Sequence, residues 1–105
     1  MIKLENISMV KEANMYLDGK VASRTIFLPN GDKQTLGVMQ PGEYRFDTKE
    51  AEIMEMMSGE LEIRLANETE FKQLNTPESF NVPANSFFDL KVKTVTDYCC
   101  SYIEA

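Results

Sequence analysis

Glu60-Leu61-Glu62-Ile63-Arg64-Leu65 alternates polar and apolar residues without a break. A period of two puts successive side chains on opposite faces of an extended chain, so this stretch reads as a half-buried β-strand. Just upstream, Ala51-Glu52-Ile53-Met54-Glu55-Met56-Met57 runs into Ser58-Gly59. Glutamate and methionine also favour helices. The Ser-Gly break and the strand that follows at once favour a strand over 51–57. Before it, Glu43-Tyr44-Arg45-Phe46-Asp47 alternates polar and aromatic residues after a Pro41-Gly42 turn signal. Residues 20–28 are rich in β-formers and end at Pro29-Asn30-Gly31-Asp32. Asn30-Gly31 predicts a tight hairpin with a return strand over 33–39, because glycine tolerates positive φ. Further short strands are expected at 71–74, 79–82, 87–92 and 97–103. Turn signals recur roughly every 8–12 residues, as in an all-β sandwich or barrel. Residues 7–16 read as a short helix or an irregular arm.

The chain's 105 residues fit one domain. Its 43% hydrophobic and 27% charged content is ordinary for a globular protein and argues against disorder. No apolar run approaches the roughly 18 residues of a membrane span. Eleven basic residues against 17 acidic ones leave a net charge of −6. That balance argues against binding to nucleic acid or anionic membranes, which need a basic surface. The chain has no histidine. Ser-His-Asp and Cys-His nucleophilic sites are excluded, as is any metal site built on imidazole. Chemistry must come from carboxylates, lysine, arginine, tyrosine, hydroxyls or thiols. Cys99 and Cys100 are adjacent and point to opposite faces of a strand, so a bridge between them would be strained. Free thiols, and a start at Met1–Asn6 without the pattern of a signal peptide, point to a reducing cytoplasm.

Pro41-Gly42, Glu52, Ser58-Gly59-Glu60-Leu61-Glu62 and Phe80-Asn81-Val82-Pro83-Ala84 together resemble the frame of a cupin, a double-stranded β-helix of the jelly-roll kind. Glu52 stands where cupins place an acidic metal ligand. The histidine places fall on Phe46 and Thr48, or on Arg45 and Asp47, and the third on Phe88. Pro77 departs from the usual glycine. A narrower resemblance spans five ordered blocks: residues 16–24, 36–44, 52–55, 80–86 and 97–102. They are similar to the family of small bacterial pyrimidine/purine nucleoside phosphorylases. The resemblance implies an all-β, cupin-type barrel over residues 17–105, preceded by an N-terminal arm over 1–16. It implies broad-specificity phosphorolysis, in which nucleoside and phosphate give free base and ribose 1-phosphate, with no metal or cofactor. It also implies a homodimer, with the arm as the candidate contact.

That reaction needs a held phosphate, acceptors for the sugar hydroxyls and the charge growing at C1′, and a proton or hydrogen bond for the departing base. Arg24 and Lys33 flank the expected hairpin and are the phosphate candidates, with Ser23 and Thr25 as hydroxyl donors. Arg45 and Arg64 are weaker candidates; Arg64 alternates with apolar neighbours and should face solvent. Glu52 is the candidate catalytic carboxylate. Met54, Met56 and Ser58 should share its face, and Glu55 the opposite one. Tyr44, Phe46, Phe88 and Tyr98 are candidates to stack on the base, which suits a broad range of bases. The cysteines read as packing residues, since nothing cationic lies near them in sequence. Two other readings are a metal-free cupin that binds a small metabolite without catalysis, and a metal site on oxygen ligands such as Asp47 and Glu52.

Overall fold

The computed structural model describes residues 2–104, so Met1 and Ala105, the outer ends of the expected arm and barrel, lie outside the described residues. The strands are β1 (Ser8–Met9), β2 (Asn14–Tyr16), β3 (Val21–Phe27), β4 (Lys33–Met39), β5 (Gly42–Asp47), β6 (Ala51–Ser58), β7 (Leu61–Leu65), β8 (Lys72–Leu74), β9 (Glu78–Val82), β10 (Phe87–Val92) and β11 (Thr96–Ile103). The first sheet has seven strands in the order β1-β3-β4-β11-β6-β9, with β2 also on β3. The second has four, in the order β5-β10-β7-β8. Every described strand pair is antiparallel.

Alternation along each strand builds the core between the sheets. Leu61 and Ile63 of β7 are fully buried, and Glu62 and Arg64 point the other way. Met54 and Met56 of β6 meet Phe88 and Leu90 of β10 in one apolar cluster. Each such side chain stabilises the fold by about 1.5–3 kcal/mol on leaving water. In β6 the expected alternation holds from Glu52 to Met56. The β11 ladder then shifts register between Asp97 and Tyr98, which sets Ser58 opposite Asp97 and off the Glu52 face.

Two local expectations change. Residues 7–16 are neither a helix nor irregular throughout. β1 pairs with the far end of β3 and β2 with its beginning, and the Asn14 amide donates to the Ser23 and Thr25 hydroxyls at 3.2 and 3.0 Å. The hairpin after β3 is also longer than a two-residue turn. Phe27 pairs with Lys33, leaving residues 28–32 as the loop. Its Leu28 amide donates to the Asp32 carbonyl at 2.9 Å, and Gly31 sits at φ +92°.

Candidate active site

The main cavity lies between the sheets and has a volume of about 140 Å³. That approximates the roughly 150 Å³ void known to accept one benzene ring. A single aromatic ring fits inside; the rest of a larger ligand must extend toward the opening. One wall is the inward row of the first sheet: Ser23 from β3, Thr35 from β4, Tyr98, Cys100 and Tyr102 from β11, and Glu52 from β6. The opposite wall is aromatic, with Phe46 from β5 and Phe88 from β10 at a centroid distance of 5.6 Å. Met39 and Met54 add apolar surface, and Tyr16 and Asp47 line it from the sides where the two sheets end.

Local pairing explains this row. Tyr98, Cys100 and Tyr102 are two residues apart on one strand and therefore share a face. Across the ladders, Cys100 faces Thr35 on β4 and Tyr102 faces Glu52 on β6. The Thr35 and Tyr102 hydroxyls share a hydrogen bond at 3.5 Å. At Gly37 of β4 the chain passes close to β3. A Cβ there would strike the Ala22 carbonyl and the Ser23 side chain.

Burial holds the Glu52 carboxyl above its ordinary range. The Glu50 charge adds to that rise; the Cys100 thiol and the Lys33 ammonium oppose it. Burial also pushes the Tyr98 phenol up to about 12 and raises the Cys100 thiol and the Tyr102 phenol. At neutral pH the two phenols and the Cys100 thiol are un-ionised. They serve as hydrogen-bond donors and acceptors, not as nucleophiles. Cys99, on the outward face, is buried with its thiol pushed up to about 11.

The sequence candidates divide accordingly. Glu52, Ser23, Phe46, Phe88 and Tyr98 converge on the cavity. Tyr44 does not line it: the ring packs in the core and its hydroxyl donates to the Gln40 carbonyl at 2.6 Å. Lys33 stands outside, its ammonium 4.6 Å from the centroid of the Tyr102 ring, in a neighbouring hollow lined by Asp32, Glu50 and Glu104. Arg24 lies on the opposite, outward face of the first sheet, exposed, with one hydrogen bond of 3.4 Å to the Lys11 carbonyl. The expected meeting of Arg24 and Lys33 fails because of register. If Asn30-Gly31 were the two turn residues, both cations would share a face. The five-residue loop shifts the pairing by one residue, and one step turns a side chain to the other face. Glu55 is exposed, as its alternation implies. Thr25 hydrogen-bonds Asn14. Arg45 and Arg64 bind Asp89 on the outside of the second sheet.

The cupin frame raises the question of a metal ion. Phe46 and Phe88, which offer no donor atom, stand at two of the ligand places. At the third, Thr48 is spoken for: its hydroxyl donates to the Pro83 carbonyl at 2.7 Å and accepts from the Ser86 amide at 3.0 Å. The alternative places offer Arg45, held by Asp89, and Asp47, which joins Glu52 in the lining. This donor set does not suit a transition metal. Sequence reasoning missed Tyr16, Met39, Thr35, Cys100 and Tyr102 as lining residues. The period of two running on from Tyr98 was the signal that could have found the last two.

Known proteins resemble this chain along nearly its whole length. A curated relative from Sulfurimonas denitrificans, named pyrimidine/purine nucleoside phosphorylase, is 68% identical over 99% of this chain and 100% of its own length. Another of that name, from Clostridioides difficile, is 54% identical over 98% of each chain. A crystal structure of a protein of unknown function from Acinetobacter matches with a TM-score of 0.92 at 34% identity, covering 96% of this chain and 98% of that one. An RmlC-like cupin from Shewanella frigidimarina matches with a TM-score of 0.70 at 16% identity, covering 90% of this chain and 84% of that one, which establishes the cupin fold. The family described as pyrimidine/purine nucleoside phosphorylase matches residues 11–102, and the chain belongs to that family.

Proposed function

We propose that this protein cleaves purine and pyrimidine nucleosides with inorganic phosphate, giving free base and ribose 1-phosphate without a metal or organic cofactor. The observation that carries the reading is the two-sided cavity: an aromatic wall facing a row of un-ionised hydroxyls and a thiol, with one half-buried carboxyl among them. Phe46 and Phe88 offer ring faces to any base, and stacking is indifferent to base identity. Ser23, Thr35 and Tyr102 offer hydrogen bonds to the sugar. A phosphate oxygen forms the new bond to C1′ as the glycosidic C1′–N bond breaks, and the base leaves with that electron pair and gains a proton. Glu52, as carboxylate, stabilises the positive charge that develops at C1′. Burial raises its proton affinity.

The same reading places the protein in the cytoplasm, where Cys99 and Cys100 stay as thiols. It treats residues 17–105 as the barrel and 1–16 as an appended arm, and it takes the protein to act as a homodimer. The test is base release from a mixed nucleoside panel, with and without phosphate, after treatment with a chelator. Release that requires phosphate and survives the chelator supports the reading. Release without phosphate would make the protein a hydrolase. Nucleoside binding with no release would make it a metabolite-binding cupin.

A further inference from the structure

We propose that the outer face of the second sheet carries an anion site, separate from the cavity, in which Arg45, Arg64 and Lys91 take a phosphate group, free or as the monoester of a small molecule. Cross-strand pairing brings the parts together. Asp89 of β10 faces Arg45 on β5 and Arg64 on β7, and Lys91, two residues on, shares that face. With Phe71 and the exposed Glu43, these side chains line a surface hollow of about 400 Å³. The hollow lies behind the aromatic wall of the cavity, because Arg45 and Asp89 alternate with the inward Phe46 and Phe88. Nothing in this placement depends on the reaction in the cavity.

The cations are held in place before any ligand arrives. Asp89 is 7% exposed and accepts from both guanidiniums: from Arg45 through Nε at 2.7 Å and Nη2 at 3.1 Å, and from Arg64 through Nη2 at 3.0 Å and Nε at 3.3 Å. Each guanidinium is spent along that edge, and among the described residues its Nη1 has no partner. The two side chains remain 55 and 33% exposed, so a solute can reach them. Stacking fixes their planes: Arg45 lies 4.1 Å from the centroid of Phe87 and Arg64 4.5 Å from that of Phe71, where the Lys91 ammonium sits at 4.3 Å. Groups fixed in this way lose little freedom when they bind. The lining sets three cations against two carboxylates, in a chain whose net charge is −6. One of those carboxylates, Asp89, is already shared by the arginines. Elsewhere Lys33 stands against Asp32, Glu50 and Glu104, and Lys93 is bound by Glu62. Guanidinium forks match the oxygens of a phosphate, and a tetrahedral phosphate has oxygens enough for all three cations at once. The hollow falls within the range of small-molecule sites, roughly 300–1,000 Å³, so a sugar-sized group can accompany the phosphate.

Titration of isotope-labelled protein, followed by NMR, tests this. The probes are inorganic phosphate and, separately, ribose 5-phosphate, each at constant ionic strength set with sodium chloride. The signals read are the Nε–H groups of Arg45 and Arg64 and the backbone amides of β5, β7 and β10. Saturable shifts that chloride does not produce are expected at these groups. Lys91→Gln breaks no described ion pair, so it should keep its melting temperature and weaken binding about tenfold. Arg64→Gln should weaken it at least as much. Glu52→Gln, in the cavity, should leave it unchanged. Equal affinity for the two probes supports a site that reads the phosphate group alone; tighter ribose 5-phosphate supports one that also holds the attached group. Shifts that never saturate, shifts that chloride reproduces, or full affinity in both Lys91→Gln and Arg64→Gln overturn the proposal. These signals report the outer face itself, so the result stands apart from whether the protein releases base.

Discussion

On the outside of the second sheet, Asp89 receives Arg45 at 2.7 Å and Arg64 at 3.0 Å. On the inside of the first, Glu52 receives only a thiol and a distant lysine against the pull of burial. Both carboxyls sit on strands with aromatic neighbours: Arg45 stacks on Phe87 at 4.1 Å and Arg64 on Phe71 at 4.5 Å. They differ in what surrounds the charge. The two guanidiniums, the Arg45 bond first, hold Asp89 below the usual carboxylate range. Burial holds Glu52 above it. A carboxyl with its partners supplied is built to stabilise a sheet face. One left short of partners in a cavity is built to meet something that arrives later. Composition treats the two residues alike; only their surroundings separate them.

Substitution can break that contrast. Glu52→Gln should cost about 100-fold or more in kcat/KM for phosphorolysis. Asp89→Asn should leave kcat/KM unchanged in the same assay. Comparable losses in both would erase the distinction. Gly37→Ala comes next, since the new Cβ meets backbone and not a yielding side-chain tip. It should cost about 1–3 kcal/mol of stability by overpacking β3 against β4, read from denaturant melts.

pH sharpens the contrast further. Asp89 is depressed in the folded protein, so its contribution is present above the ordinary carboxylate range and fades as pH falls through the lowered value. Asp89→Asn should therefore melt lower than wild type at neutral pH, and the gap should shrink in strong acid. Glu52 is raised, so its contribution is intact in acid and lost as pH rises through the raised value. The smallest expected effect follows from that sign. Glu52→Gln should melt slightly higher than wild type at neutral pH, with the difference closing below about pH 4. A variant that melts lower at pH 7 would mean that the carboxylate has a cationic partner there.

Much of this fold was legible because a period of two leaves a plain trace. Glu60–Leu65, Glu43–Asp47 and residues 33–39 fall on β7, β5 and β4 with nearly the expected limits. The arm was harder to read. Met9 and Met15 sit exposed on an edge, with no buried alternation to betray a strand, and Asn14 acts through a hydrogen bond no pattern foretells. At the site, Glu52 was legible from the frame of the fold, and Phe46 and Phe88 from the places where the frame expects histidine. Arg24 and Lys33 were misplaced because their facing depends on loop length, and a shift of one pair inverts it. Tyr44 was misassigned because a core tyrosine and a ligand-facing one alternate identically along a strand.

β11 is the latest strand in the sequence and the middle one of the larger sheet, between β4 and β6. Until residues 96–103 have left the ribosome, β4 and β6 have nothing to join them, and Tyr98, Cys100 and Tyr102 are missing from the cavity wall. The polypeptide must therefore wait for residues 96–103 before it can gain either its sheet or its cavity wall. A nascent chain halted a few residues short exposes two strand edges at once and invites capture by chaperones.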